Sequence, residues 1–298
     1  LLKTWKEEKP QYKEVYSQVL QQVNKRLDDA FQGFFKRAKQ GKAGFPRFKK
    51  HFRSLVYPQS GFNIGDKLKL SKIGLIKIKK HRPILGNVKQ VTLTKYSSGK
   101  FFVSIVTDYS EVKKNKSKKT IGLDLGIRTF VTGSDGYKIE NPKLLSKCED
   151  NLKKLHSRYS KNKTGKNRHS LSLAYEKLVN KREDFIHKVV NDLLKRYKTI
   201  CIEKLDIESM NFYSAINKSI RDVCWAKFSQ ILQYKALNAG SEIKLVDPSY
   251  TSKMCSVCGN IDHDFDLSKL VYKCNCGNNL GRDVNASINI MRRGLASP

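Results

Sequence analysis

The stretch TIGLDLGIRTFVTGSDGYKIE, residues 120–140, decides how the rest of the chain is read. Apolar runs on either side of Gly126, followed by an Asp135-Gly136 turn, predict a β-hairpin whose first strand passes through Asp124. An aspartate inside the apolar run IGLDL needs a reason to be there. A lone buried carboxylate is strongly disfavoured, so such a residue usually has a cation, a hydrogen-bond network or a raised pKa to account for it. Service in a tight turn beside Gly126 is the competing role.

Working downstream, Leu171, Tyr175, Leu178, Phe185, Val189 and Leu193 mark a long helix, preceded by a flexible bend at KNKTGKN. KTICIEKL supplies a strand that ends at Glu203. A further helix runs from about Ser219 to Ala239, EIKLVDP is another strand, and VNASINIM after Asp283 is helical. Hairpin, helix, strand, helix, strand, helix is an α/β order.

Upstream, Val15, Val19, Val23, Leu27 and Phe31 recur at helical spacing and predict a helix over about 14–38. Residues 36–53 then carry eight basic side chains and no acidic one, interleaved with Phe45, Phe48 and Phe52. The charges suit a phosphate backbone, and the phenylalanines read as filling a local core. Short alternating runs between Leu55 and Asp108 predict a small antiparallel sheet or barrel, with lysines at 67, 69, 72, 77, 79 and 80 largely opposite the apolar positions. The polar run 111–119 marks a domain boundary. Because the chain opens on Leu1 rather than a methionine and enters an amphipathic pattern within fifteen residues, a preceding segment is expected.

Composition points to a polyanion as partner. Lys and Arg number 59 against 27 Asp and Glu, a formal net charge of +32, far beyond what solubility requires. No apolar run approaches the length of a spanning helix and no signal-peptide pattern is present, so a cytoplasmic, nucleic-acid-associated protein with no membrane partner is expected. Residues 151–170 add seven basic side chains and no acidic one.

Glu203 and Asp283 join Asp124 as acids placed where apolar strands or helices should be. Each has a competing structural role: Glu203 could pair with Lys204 or Arg221, and Asp283 could cap the last helix, although Ala286 cannot complete a capping box. At about 4 Å and an effective dielectric near 20, two like charges repel by roughly 4 kcal/mol, so three clustered carboxylates need divalent cations to stay ionised. An oxygen-only set suits Mg²⁺ and two-metal chemistry on phosphodiesters.

Four of the seven cysteines form a second pattern. Cys255 and Cys258, then Cys274 and Cys276, are separated by fifteen residues, and Gly259 and Gly277 follow each pair. This is zinc-ribbon spacing with a second pair one residue short, and four sulfurs make a closed, structural site. Cys148, Cys201 and Cys224 read as small buried hydrophobes.

With these residues in view, IGLDLGIRTFVTGSDG, CIEKLDIESM, SIRDVCWAKFSQILQYKA, DPSYTSKMCSVCGN and GRDVNASINIM, in that order, closely resemble the RuvC-like nuclease region of the transposon-encoded TnpB proteins, relatives of the type V CRISPR effectors. SQVLQQVNKRLDDAFQGFFKRAKQGKAGFPRFKK is similar to that family's helical segment. The resemblance implies an α/β, RNase H-like (RuvC) nuclease domain with an inserted zinc ribbon, preceded by a helical segment and a small β-barrel. It implies a helical basic segment over 1–56, the barrel region and linker over 57–117, a nuclease core over 118–247, the ribbon over 248–281 and a final nuclease segment over 282–298.

It also implies RNA-guided cutting of double-stranded DNA, with Asp124, Glu203 and Asp283 as the catalytic acids holding two Mg²⁺, Asp124 shared between them. Cys255, Cys258, Cys274 and Cys276 would hold one structural Zn²⁺, and Asn285 would orient Asp283. The expected partners are a guide RNA and a double-stranded DNA target. The alternative is a guided DNA-binding protein or transposition regulator without nuclease activity.

Overall fold

The computed structural model describes residues 2–42, 44–49, 52–109, 115–204 and 224–296, and the chain divides into two units, Leu1–Ser110 and Glu111–Pro298. The first unit begins with helix α1 (Leu2–Glu8), a 3-10 turn (Pro10–Glu14) and helix α2 (Ser17–Ala38). Strands β1 (Ser54–Pro58), β2 (Phe62–Ile64), β3 (Lys67–Leu70), β4 (Gly74–Lys77), β5 (Val88–Lys95) and β6 (Phe101–Thr107) follow. In β3 the strand period of two buries Leu68 and Leu70 completely and leaves Lys67 and Lys69 exposed.

All ladders in this unit are antiparallel, and they make two three-stranded sheets, β1-β5-β6 and β2-β3-β4. The barrel expected from the sequence is therefore not closed among the described strands. Strands of three or four residues give β2, β3 and β4 little ladder to share, whereas a barrel needs a continuous staggered one. The sheets are joined instead through apolar side chains: Tyr57, Leu68, Leu70 and Val91 form one core with Val19 of α2. Nor do the phenylalanines of the basic loop fill a core. Phe45 meets Phe31 and Phe34 edge-on at 5.6 and 5.3 Å, Phe52 lies beneath the Arg26 guanidinium, and all three, Phe48 included, remain exposed.

The second unit contains β7 (Thr120–Asp124), β8 (Thr129–Gly133), β9 (Lys138–Glu140), α3 (Leu144–Lys161), α4 (Gly165–Arg196) and β10 (Thr199–Glu203). It continues with α5 (Trp225–Ala239), β11 (Glu242–Val246), the short pair β12 (Val271–Lys273) and β13 (Asn279–Gly281), and α6 (Arg282–Ala296). The bend before α4 is short because the Thr164 hydroxyl accepts from the Asn167 amide and caps the helix at its first turn. Residues 219–223 of the predicted helix, Arg221 among them, lie outside the described residues.

Five strands form the central sheet in the order β11-β10-β7-β8-β9. β11, β10 and β7 run parallel; β8 pairs antiparallel with β7, and β9 antiparallel with β8. Side chains alternate across the sheet, so Ile121 and Leu123 of β7 and Ile200 and Ile202 of β10 share one face. There they pack fully buried against Ile186, Val190 and Leu193 of α4 and Phe228 and Leu232 of α5. Phe130 ties the layer together, meeting Phe185 and Phe228 edge-on at 5.0 and 5.3 Å.

The same alternation turns Gly122, Asp124, Cys201 and Glu203 to the opposite face, which α6 covers. This helix comes unusually near the sheet. A Cβ at Gly122 would stand 2.1 Å from the Ser287 carbonyl oxygen and 2.6 Å from the Met291 nitrogen, and one at Gly294 would stand 2.3 Å from Cys201 Sγ. Cys201 is thus a packing residue, buried with Val246 and Ile290. Among the described residues no helix is long and apolar enough to cross a membrane.

Gly122→Ala should therefore be costly, because the atoms in the way are helix backbone and cannot rotate aside. We expect a loss of about 3 kcal/mol or more in urea unfolding. Gly165→Ala at the open start of α4 should be neutral or stabilising by about 0.5–1 kcal/mol. Equal midpoints for the two variants would contradict the close helix-on-sheet contact.

Candidate active site and metal centre

Register brings two of the three acids together. Thr199, Ile200, Cys201 and Ile202 of β10 lie opposite Thr120, Ile121, Gly122 and Leu123 of β7, and one step further along these parallel strands come Glu203 and Asp124. Both stand at the carboxyl ends of neighbouring strands, where open α/β sheets form their binding crevices. Asp283 arrives from the other direction, in the first turn of α6, the helix seated on Gly122.

All three side chains are half-buried, and Asp124 senses both of the others. Burial first, then the charges of Glu203 and Asp283, push its carboxyl up to about 7, against the opposing pull of Arg282 and the Leu125 amide. Glu203 is also raised by burial, partly offset by a hydrogen bond from Thr251 and by the Arg293 charge. Asp283 accepts two hydrogen bonds from Arg282, at 2.7 and 3.0 Å.

The competing roles considered for these acids resolve in different ways. Glu203 accepts from the Thr251 hydroxyl, not from Lys204, and Arg221 lies outside the described residues. Asp283 sits inside the first helical turn, where its charge suits the helix dipole, rather than at a cap position outside it. Asn285 does not orient Asp283. Fully buried, it donates to the Met254 carbonyl at 2.8 Å and accepts from the Ser256 amide at 2.9 Å and from Asn278 at 3.2 Å. The reason is helical geometry: two positions beyond Asp283, its side chain leaves α6 on another face.

Those partners belong to the cysteine segment. All four sulfurs of Cys255, Cys258, Cys274 and Cys276 lie within 4.8 Å of one another, a group that could hold a metal ion. Cys255 and Cys276 stand 3.6 Å apart, as do Cys258 and Cys274. Four sulfurs about 2.3 Å from a tetrahedral zinc would be separated by about 3.8 Å. The shortened Cys-x-Cys pair therefore reaches as well as the regular one. Gly259 and Gly277 turn the chain at φ +79° and +91°, the left-handed region glycine enters without penalty.

Burial alone would raise the Cys255 thiol, but amides of Cys258 and Val257 and the Asn278 side chain hold it down at about 6, which favours the thiolate a metal requires. Phe265 and Tyr272 pack beneath, their rings 4.9 Å apart. Thr251, Asn278 and Asn289, which link this segment to α6 and β10, were not singled out in the sequence. The spacing of Asn285 and Asn289, four residues apart and so on one face of the helix, was the available signal.

Two families match parts of this chain: OrfB_IS605, described as "Probable transposase", over residues 103–212, and the Cas12f1-like TNB domain over residues 225–290. Among similar proteins, "Putative RNA-guided DNA endonuclease InsQ" of Escherichia coli K12 is 32% identical over 94% of this chain and 75% of its own length. "Putative RNA-guided DNA endonuclease" of Streptomyces pristinaespiralis is 30% identical over 99% of this chain and 76% of its own. "TnpB-like protein L770" of Acanthamoeba polyphaga mimivirus is 29% identical over 74% of this chain and 46% of its own.

Two outcomes are expected. A carboxyl whose folded pKa lies above its unfolded value costs stability as pH rises from the unfolded value through the folded one, here from 3.8 to about 7. Asp124→Asn should accordingly raise the thermal midpoint of protein free of divalent cations more at pH 8 than at pH 5; a lower midpoint at pH 8 would make the charge a structural asset. Separately, Cys276→Ser should take bound zinc from one per chain to well below one by elemental analysis and open residues 248–281 to protease. Undiminished zinc would exclude Cys276 as a ligand.

Proposed function

The chain belongs to the TnpB family, and from that premise we propose that it is an RNA-guided DNA endonuclease of transposon origin, acting in the cytoplasm on nucleoid DNA. The observation that carries this reading is the meeting of Asp124 and Glu203 at adjacent strand ends under the first turn of α6, which brings Asp283. The sheet order, three antiparallel strands continued by two parallel ones, supports an RNase H-like core.

The donor set fits divalent cations. It is all oxygen, and Asp124 bears the repulsion of two neighbouring carboxylates that a cation would relieve. Asp124, the carboxyl that feels both others, would hold two Mg²⁺, with Glu203 and Asp283 each completing one. Bound there, the ions would supply an activated water and neutralise charge on the departing oxygen of a phosphodiester.

The protein's own contribution is placement and charge. β7 and β10 fix two carboxylates by register, α6 delivers the third, and Arg282 keeps Asp283 directed by two hydrogen bonds. The exposed Lys153, Lys154, Arg158, Lys161, Lys163, Lys166 and Arg168 across the α3–α4 bend suit a phosphate backbone. So do the exposed Lys67, Lys69, Lys72 and Lys77 of the first unit. Guide RNA and a double-stranded DNA target are the partners this reading assigns. The four cysteines would hold a structural Zn²⁺, closed to chemistry because every position is a sulfur.

The test uses the protein with its copurifying RNA, sequenced to design a matching DNA duplex. Asp124→Ala should abolish Mg²⁺-dependent cleavage while leaving duplex affinity within about twofold. Loss of binding together with cleavage would assign Asp124 a structural role, and retained cleavage would remove it from the site.

A further inference from the structure

A buried chain of hydrogen bonds runs from the cysteine segment to Glu203. Asn278 donates to Cys255 Sγ at 3.3 Å and to Asn285 Oδ1 at 3.2 Å. Asn285 donates to the Met254 carbonyl, which also receives Asn289 at 2.7 Å. Asn289 uses its second amide hydrogen on the Thr251 carbonyl at 2.9 Å, and the Thr251 hydroxyl donates to Glu203 Oε1. Thr251 is 3% exposed, Asn278 7%, and Asn285 and Asn289 not at all, so water does not compete for these bonds.

Resting on the nuclease reading above, we propose that Thr251 is a positioning residue for Glu203, and that Asn289 holds Thr251 in place for that task. Three observations carry this. Glu203 is the last residue of its strand, where its backbone is still paired with Val246 of β11 but no longer with β7, and its carboxylate can turn about several side-chain bonds unless something grips it. Thr251 supplies that grip from a different segment, 48 residues on.

Thr251 is itself held by Asn289, whose amide donates to the Thr251 carbonyl. Asn289 lastly has a cost that packing does not explain. Its Oδ1 is buried with no hydrogen-bond partner among the described residues, a penalty an apolar side chain of similar size would avoid. Its two donors are what the site uses.

Thr251→Val keeps the shape of the side chain and removes the donor, whereas Thr251→Ser keeps the donor. Both variants and wild type, with zinc retained, would be titrated with Mn²⁺ by calorimetry. Mn²⁺ binds thiolates less well than zinc and so reports the carboxylates. Cleavage would be measured against Mg²⁺ concentration in parallel.

Thr251→Val should weaken Mn²⁺ about tenfold and raise the Mg²⁺ concentration for half-maximal cleavage by a similar factor, with duplex affinity unchanged. Thr251→Ser should stay within about twofold of wild type in both. Wild-type Mn²⁺ affinity in folded Thr251→Val overturns the proposal. If Thr251→Val does not fold, Thr251→Ser decides: wild-type affinity supports the proposal, and a tenfold loss at an unchanged thermal midpoint overturns it. Should wild-type protein neither bind Mn²⁺ nor cut, the nuclease reading falls and this proposal with it; wild-type cutting that Asp124→Ala abolishes keeps that reading whatever Thr251 does.

Discussion

The seating of α6 directly on β7 and β10 is the constraint from which the rest follows. Without side chains at Gly122 and Gly294, the helix backbone rests against the strands at distances no Cβ would allow. That approach brings Asp283 to the strand ends already occupied by Asp124 and Glu203. Three carboxylates so placed disfavour one another's charge, and burial, then the charges of Glu203 and Asp283, push the Asp124 carboxyl up to about 7. Under the proposed reading, a divalent cation would remove that cost.

The cysteine segment has a second role in this arrangement. Its β12–β13 pair and loops bury little apolar surface beyond Phe265 and Tyr272, so a metal held by the four sulfurs, as proposed, would supply the stability that packing does not. Through Asn278, Asn285 and Asn289 that stability reaches α6, and through Thr251 it reaches Glu203. Buried amides with defined partners transmit position better than apolar packing, because each bond has a direction as well as a distance.

Much of this was legible before any coordinates, and the parts that were not share a physical cause. The acid in IGLDL and the acid ending TICIE stood out because an apolar strand has no place for a charge, whereas their sharing one face follows from the register of β10 on β7. Cysteine spacing singled out the four sulfurs that the structure brings together, although only the turn at Gly277 shows how a shortened pair reaches the other two. What stayed hidden depends on contacts distant in sequence. Closure of the β-strands is a property of pairing, not of any strand's pattern, and the run of short strands suggested a barrel where two sheets share a core. Asn285 lies two residues from Asp283 in sequence but serves Met254 and Ser256. Thr251 carries no local mark of its bond to Glu203.

The central claim is that Asp124, Glu203 and Asp283 share divalent cations, and an anomalous difference map from crystals of this protein soaked in Mn²⁺ tests it most directly. The account predicts a manganese peak within coordination distance of Asp124 and of at least one of Glu203 and Asp283. Manganese bound elsewhere, with these three carboxylates left free of metal, would contradict it.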